Sequence, residues 1–253
     1  MKIFVNGCSH TDGTEYSTPK KLTWPSSLLD HNVNDKSCSG ASNNRIVRST
    51  FEHLLMPDTS DVDMAIIQFT DPTRFEVPFS KNEFDQVIPK VHNIFGQGYE
   101  EVAHNGYTTP FCQAHFGTED QRALTDITLL IHILSLQSFF REMALDYVFM
   151  IWWPPHNSDF WQDPGVQRLW RKVDTSRIIN ADDNNIWSMD KVLTDNGFEK
   201  SSALRHDGTR DNHFKPDAHA WLAEQIENFI YNREKITYLN SDALDPEAIY
   251  RYG

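Results

Sequence analysis

The stretch Lys2-Ile-Phe-Val-Asn-Gly-Cys-Ser-His-Thr-Asp-Gly13 decides how the rest of the chain is read. Its apolar run, Ile3 to Val5, reads as a short buried strand that breaks into Gly7-Cys8-Ser9-His10-Thr11, with a second glycine at Gly13. In a parallel α/β sheet, ligands gather outside the carboxyl ends of the strands, where the chain turns toward the next helix. A serine there, beside a glycine that lets another segment approach closely, is placed to act as a nucleophile. The competing reading is a polar turn in which Ser9 or Thr11 only caps the next segment.

Outward from this stretch, Leu22-Thr-Trp-Pro-Ser-Ser-Leu-Leu29 reads as a short helix with Pro25 in its first turn, where a missing N–H costs nothing. A brief strand over 32–38 leads to a second small-residue turn, Ser39-Gly40-Ala-Ser-Asn-Asn-Arg45. The spacing of Ile46, Val47, Phe51, Leu54 and Leu55 predicts a helix over 42–55 with one buried face. Val62 to Phe69 reads as a strand, closed by Pro72. Residues 77–120 lack a sustained period and read as an insertion, either a lid over the strand ends or a structural excursion. Leu124 to Met143 predicts the longest helix, with Leu124, Ile127, Leu130, Ile131, Leu134, Ser138 and Phe139 on its apolar face. Tyr147 to Trp153 is a buried strand stopped by Pro154-Pro155. A helix over 161–172, a short Ile178-Ile179 element and a loop rich in Asp and Asn come next. Asp217 to Tyr231 is an amphipathic helix with Trp221, Leu222, Ile226, Phe229 and Ile230 inward. Strands alternating with helices predict an α/β fold, a mostly parallel sheet covered on both faces. One domain over 1–232, with the insertion 77–120, precedes a surface tail over 233–253.

Composition narrows the function classes. With 36 acidic against 23 basic residues, the net charge of −13 argues against nucleic acid or an anionic membrane as partner. No run approaches the about 18 apolar residues of a spanning helix. The start lacks the order of a secretory signal, so a cytoplasmic protein is expected. Three scattered cysteines suggest neither a disulfide framework nor a zinc motif. No metal or cofactor is expected, since His10, Asp12 and His213 share no ligand spacing.

Near the other end the chain reads Asp211-Asn-His-Phe-Lys-Pro-Asp-Ala-His219. An acid two residues from a histidine lets the carboxylate hold Nδ1–H, leaving Nε2 as a base toward a hydroxyl. The expected constellation is Ser9, His213 and Asp211, with His219 a packed residue of the last helix.

These blocks resemble the SGNH hydrolases, also called GDSL-type esterases. Ser9 and Thr11 match the first block, with Cys8 where aspartate is usual; Gly40 matches the oxyanion glycine of the second. Thr70, in Gln68-Phe69-Thr70-Asp71, stands where the third block has its oxyanion asparagine, and Asn43 or Asn44 is a substitute donor. His213 and His219 keep the six-residue interval of the last block, but Arg210 stands where the family has its acid, which moves that role to Asp211. The resemblance implies a three-layer, flavodoxin-like α/β/α sandwich and a serine esterase acting on an ester-bearing small molecule or an O-acylated carbohydrate. Arg74 is a candidate substrate contact at the same edge. The alternatives are a weakened scaffold serving as a binding or assembly module, and an O-acyltransferase using the same residues. The oligomeric state is not legible.

Overall fold

The computed structural model of the chain describes residues 1–13, 19–56, 61–72, 74–79, 90–94, 119–153, 161–204, 211 and 213–236. Its strands are β1 (Lys2–Asn6), β2 (Asn32–Asp35), β3 (Met64–Phe69), β4 (Phe75–Phe79), β5 (Lys90–Ile94) and β6 (Asp146–Ile151). Its helices are α1 (Ser9–Asp12), α2 (Asn43–Leu54), α3 (Glu119–Glu142), α4 (Pro164–Trp170), α5 (Met189–Asp195) and α6 (Pro216–Asn232). Four strands make one parallel sheet in the order β2-β1-β3-β6. A parallel bridge from Phe149 to Ile178 extends it by a fifth position. This is the doubly wound, flavodoxin-like order, whose connections diverge between β1 and β3.

The strands are apolar throughout because both faces are covered. Ile3, Val5, Met64, Ile66, Val148 and Met150 enter one cluster, with Trp24, Leu28, α5 and α6. The alternate residues Phe4, Ala65, Ile67, Phe69, Phe149 and Ile151 enter the other, with α2, α3 and α4. The result is a three-layer α/β/α sandwich. Helix starts follow local chemistry: the Ser42 side chain accepts from Arg45 N–H, Asp163 caps α4 ahead of Pro164, and Ser188 caps α5.

Several expectations need correction. Residues 22–29 form no α-helix; they hold one 3-10 turn, Pro25–Ser27, opened by Pro25, after another at Lys20–Leu22, with Leu28 buried and Leu29 exposed. Leu55 lies past the end of α2 and is exposed. On α3 the buried stripe is Leu129, Leu130, Ile133, Leu136 and Phe140, while Leu124 and Ile131 face out. That helix is apolar on several sides, so its neighbours choose the face and its period does not. Part of the loop rich in Asp and Asn is the helix α5.

Within the insertion 77–120, β4 and β5 pair antiparallel, from Phe75↔Ile94 to Phe79↔Lys90, and most of the rest lies outside the described residues. Of the tail 233–253, Lys235 Nζ donates to Thr175 O (2.9 Å) and Ala181 O (2.6 Å), and Ile236 is buried. Beyond residue 236 the tail is outside the described residues. No helix among the described residues is long and apolar enough to cross a membrane.

Ile66 sits fully buried on a central strand. Ile66→Ala is expected to lose about 2–5 kcal/mol, read as a lower urea midpoint with an unchanged slope.

Candidate active site

The turn after β1 is held from two sides. Asn6 Oδ1 accepts from Gly7 N–H at 2.9 Å, while its Nδ2 faces Ile46 O (3.0 Å) and the Ser49 and Thr50 hydroxyls (2.9 Å each). From the centre of the sheet, Gln68 Oε1 accepts from Cys8 N–H (3.1 Å), Cys8 Sγ–H (3.2 Å) and Thr11 Oγ1–H (2.9 Å). Its Nε2 donates to Phe69 O at 2.6 Å, so the carboxamide is used at both ends. Gly7 makes room for this: a Cβ there would come within 2.9 Å of Gln68 Oε1 and closer still to Thr11 Oγ1. Ser9 opens α1, and Thr11 and Asp12 N–H both donate to Cys8 O at 2.9 Å.

The histidine side is held by an extended segment. Lys215 N–H donates to Glu199 O (3.2 Å), Ser201 N–H to His213 O (2.8 Å) and Asp211 N–H to Ala203 O (2.9 Å). Asp211 and His213 are thus both tied by backbone bonds to the segment 199–203. Asp211 Oδ1 lies 2.5 Å from His213 Nδ1, and His213 Nε2 lies 2.7 Å from Ser9 Oγ. A carboxylate only accepts, so Nδ1 carries the proton and Nε2 accepts from the Ser9 hydroxyl. Asp211 is fully buried, while Ser9 is 5 % and His213 7 % exposed.

The structure distributes the other predicted residues unevenly. Gly40 has φ +78°, a left-handed conformation that favours glycine. Its turn is tied to α1 by Ser39 N–H donating to Asp12 Oδ2 at 3.0 Å. Thr70 directly succeeds β3 and is fully buried, and its Oγ1 finds no partner among the described residues. Asn43 turns toward the protein: Nδ2 donates to Thr70 O (3.1 Å) and Oδ1 accepts from Thr70 N–H (2.8 Å). It clamps the end of β3, using one hydrogen of its amide and its carbonyl oxygen. Asn44 is exposed and makes no bond to these groups. Arg74 Nη1 reaches Ala41 O at 3.5 Å, and its guanidinium lies 5.5 Å from the Trp153 ring centroid. Among the described residues no group of three or more His, Cys, Asp or Glu side chains is arranged to hold a metal ion.

Sequence reasoning missed Gln68, Asp12 and His10. A glutamine inside the buried run Met64-Ala-Ile-Ile-Gln-Phe69 is the signal for the first, because a buried carboxamide needs partners. His10 is buried, stacked on Trp152 and next to His213. Burial foremost, then His213, Arg74, His219 and Lys200, hold His10 well below its ordinary pKa. Burial, then His213, pushes His219 down to about 4.

With this geometry in view, the chain can be set beside known proteins. No protein-family model matches it, and no curated protein matches it. The chain resembles solved lipases and esterases. The lipase Lip_vut3 from a goat rumen metagenome shares 10% identity, with 94% of this chain and 100% of that chain covered and a TM-score of 0.49. A psychrotrophic esterase from Pseudoalteromonas sp. shares 13% identity, with 90% and 96% covered and a TM-score of 0.42. A member of the lipolytic protein G-D-S-L family from Veillonella parvula shares 13%, with 91% and 99% covered and a TM-score of 0.43.

Two outcomes are expected. Gln68→Leu strips an acceptor from Cys8 N–H and Thr11 Oγ1, and is expected to lower stability by about 1–3 kcal/mol in urea titration. His219 is neutral in the folded chain, so the unfolded chain takes up a proton below its ordinary pKa of 6.5 that the folded chain refuses until about 4. Stability therefore falls as pH drops from 6.5 toward 4. His219→Leu is expected to flatten that slope by about 1 kcal/mol per pH unit in urea titrations across the window.

Proposed function

We propose that the chain is a serine hydrolase of SGNH type that cleaves carboxylic esters, with Ser9 as nucleophile, His213 as general base and acid, and Asp211 as the group that orients His213. The observation that carries the reading is the continuous hydrogen-bonded relay from Asp211 through His213 to Ser9, at 2.5 and 2.7 Å. Asp211 is fully buried, and a buried carboxylate is costly without a dedicated partner, which His213 supplies.

The chemistry is set by the proton positions. Ser9 Oγ attacks the ester carbonyl carbon as its proton passes to His213 Nε2, and Asp211 stabilises the imidazolium that forms. Collapse of the tetrahedral intermediate breaks the bond to the alcohol, which leaves with the proton from Nε2. Water attacks the acyl-serine, giving one proton to Nε2, which returns it to Ser9 Oγ as the acid departs. The oxyanion meets the N–H groups of Ser9 and Gly40, neither of which bonds another described residue, and the Thr70 hydroxyl. Thr70 takes the position of the family's asparagine as a side-chain donor. Its orphaned, buried hydroxyl supports that role, since an unsatisfied hydroxyl is otherwise a standing cost. Arg74 and the half-buried Trp153 suit an ester on a small molecule or a carbohydrate. Transfer to an acceptor alcohol uses the same residues with the alcohol in place of water, and product analysis separates the two.

A fluorophosphonate probe tests the reading. Wild type is expected to label at Ser9, Ser9→Ala and His213→Ala to lose the label, and Thr70→Val to react roughly 10²-fold more slowly. A folded wild type that never labels favours the binding module instead.

A further inference from the structure

His10 takes part in none of these steps, yet it sits against the group that moves the proton. Its ring lies nearly parallel to Trp152, with centroids 4.0 Å apart and planes inclined by 18°. The edge of Trp153 approaches at 5.0 Å, and the His213 ring lies at 4.6 Å, tilted by 34°. Trp152, His10 and His213 therefore form one short stack, with the indole fully buried at its base and His10 only 4 % exposed.

The surroundings keep His10 uncharged. The groups that face it electrostatically are His213, Arg74, His219 and Lys200, all cationic or able to become so. Its Nδ1 is buried and has no partner among the described residues, whereas an imidazolium needs acceptors at both nitrogens. A neutral aromatic ring presents a negative π face to a neighbouring cation.

We propose that His10 is a positioning residue for proton transfer: its ring, backed by Trp152, is the face against which the His213 imidazolium forms as Ser9 releases its proton. The inference rests on the serine-hydrolase reading above. In that step the Ser9 Oγ–H bond breaks, the His213 Nε2–H bond forms, and one positive charge appears on His213 while His10 gains nothing. Asp211 meets that charge at the Nδ1 edge, in the ring plane; His10 meets it from the side of the ring. The two contacts fix the imidazole in two directions, so it stays aimed at Ser9 through both halves of the reaction. Because the charge exists only during transfer, loss of the π face should slow the bond-making step and leave binding alone.

The test reads fluorophosphonate labelling of the full chain, with the maximal rate and the half-saturating concentration measured separately. His10→Leu fills similar space without a π face and is expected to lower the maximal rate about tenfold, with half-saturation within about twofold. His10→Phe restores the face and is expected to recover to within about threefold of wild type. Near-UV circular dichroism checks that both variants keep the tryptophan packing; should Leu fail to fold, the comparison of Phe with wild type still decides. A Leu variant with the wild-type rate, or a Phe variant slowed tenfold or more, overturns the inference while leaving Ser9 as nucleophile. A wild type that does not label overturns the hydrolase reading, and the inference with it.

Discussion

One hydrogen bond joins residues 204 positions apart, from the Ser9 hydroxyl to His213 Nε2, and much of the described structure serves to keep its two ends in register. Neither end is held by its own loop alone. Ser9 sits on a turn suspended from Gln68 of the neighbouring strand, and His213 on an extended segment laddered to residues 199–203. Parallel strands with crossing helices deliver the ends after β1, β2, β3 and β6 to one edge, which is how distant parts of the chain can meet there.

Along that edge, carboxamides recur where the strands stop. Asn6 closes β1 and ties it to α2, Gln68 and Asn43 hold the end of β3, and Asn180 accepts from Ile151 N–H while donating to Ile151 O and Trp187 O. A strand leaving its sheet exposes backbone donors and acceptors that the ladder no longer satisfies. An amide side chain offers one group of each kind without carrying a charge, so it can be buried where a carboxylate or an ammonium would need a counter-ion. The Asp211 carboxylate lies at the same edge, bonded to His213, beside these neutral carboxamides.

How much of this was legible depended on the kind of signal. β3, β6 and α6 announce themselves through unbroken or periodic apolar residues, and the Gly7-Cys8-Ser9 and Asp211-to-His213 patterns are local, so a reader of the sequence meets them whole. The face of α3 was misassigned because Leu124 and Ile131 are as apolar as the residues that are buried, and only the neighbouring elements distinguish them. α5 escaped because Met189 to Asp195 is short and comes after a run of Asp and Asn. The bonds of Asn43 to the backbone of Thr70, 27 positions away, leave no trace in local spacing. His10 was hidden for the same reason: a histidine after a serine carries no mark of the indole it will stack upon.

The long separation between Ser9 and His213 also bears on how the molecule comes into being. As the chain leaves the ribosome, the serine turn emerges first and its histidine only after most of the sheet has been synthesised. Contacts of such span carry a large loop-closure cost until intervening structure shortens the gap. The serine therefore spends most of its biosynthesis as an ordinary alcohol. It meets the His213 imidazole only once the segment leading into α6 has docked, so that contact is itself a late reporter of completed folding.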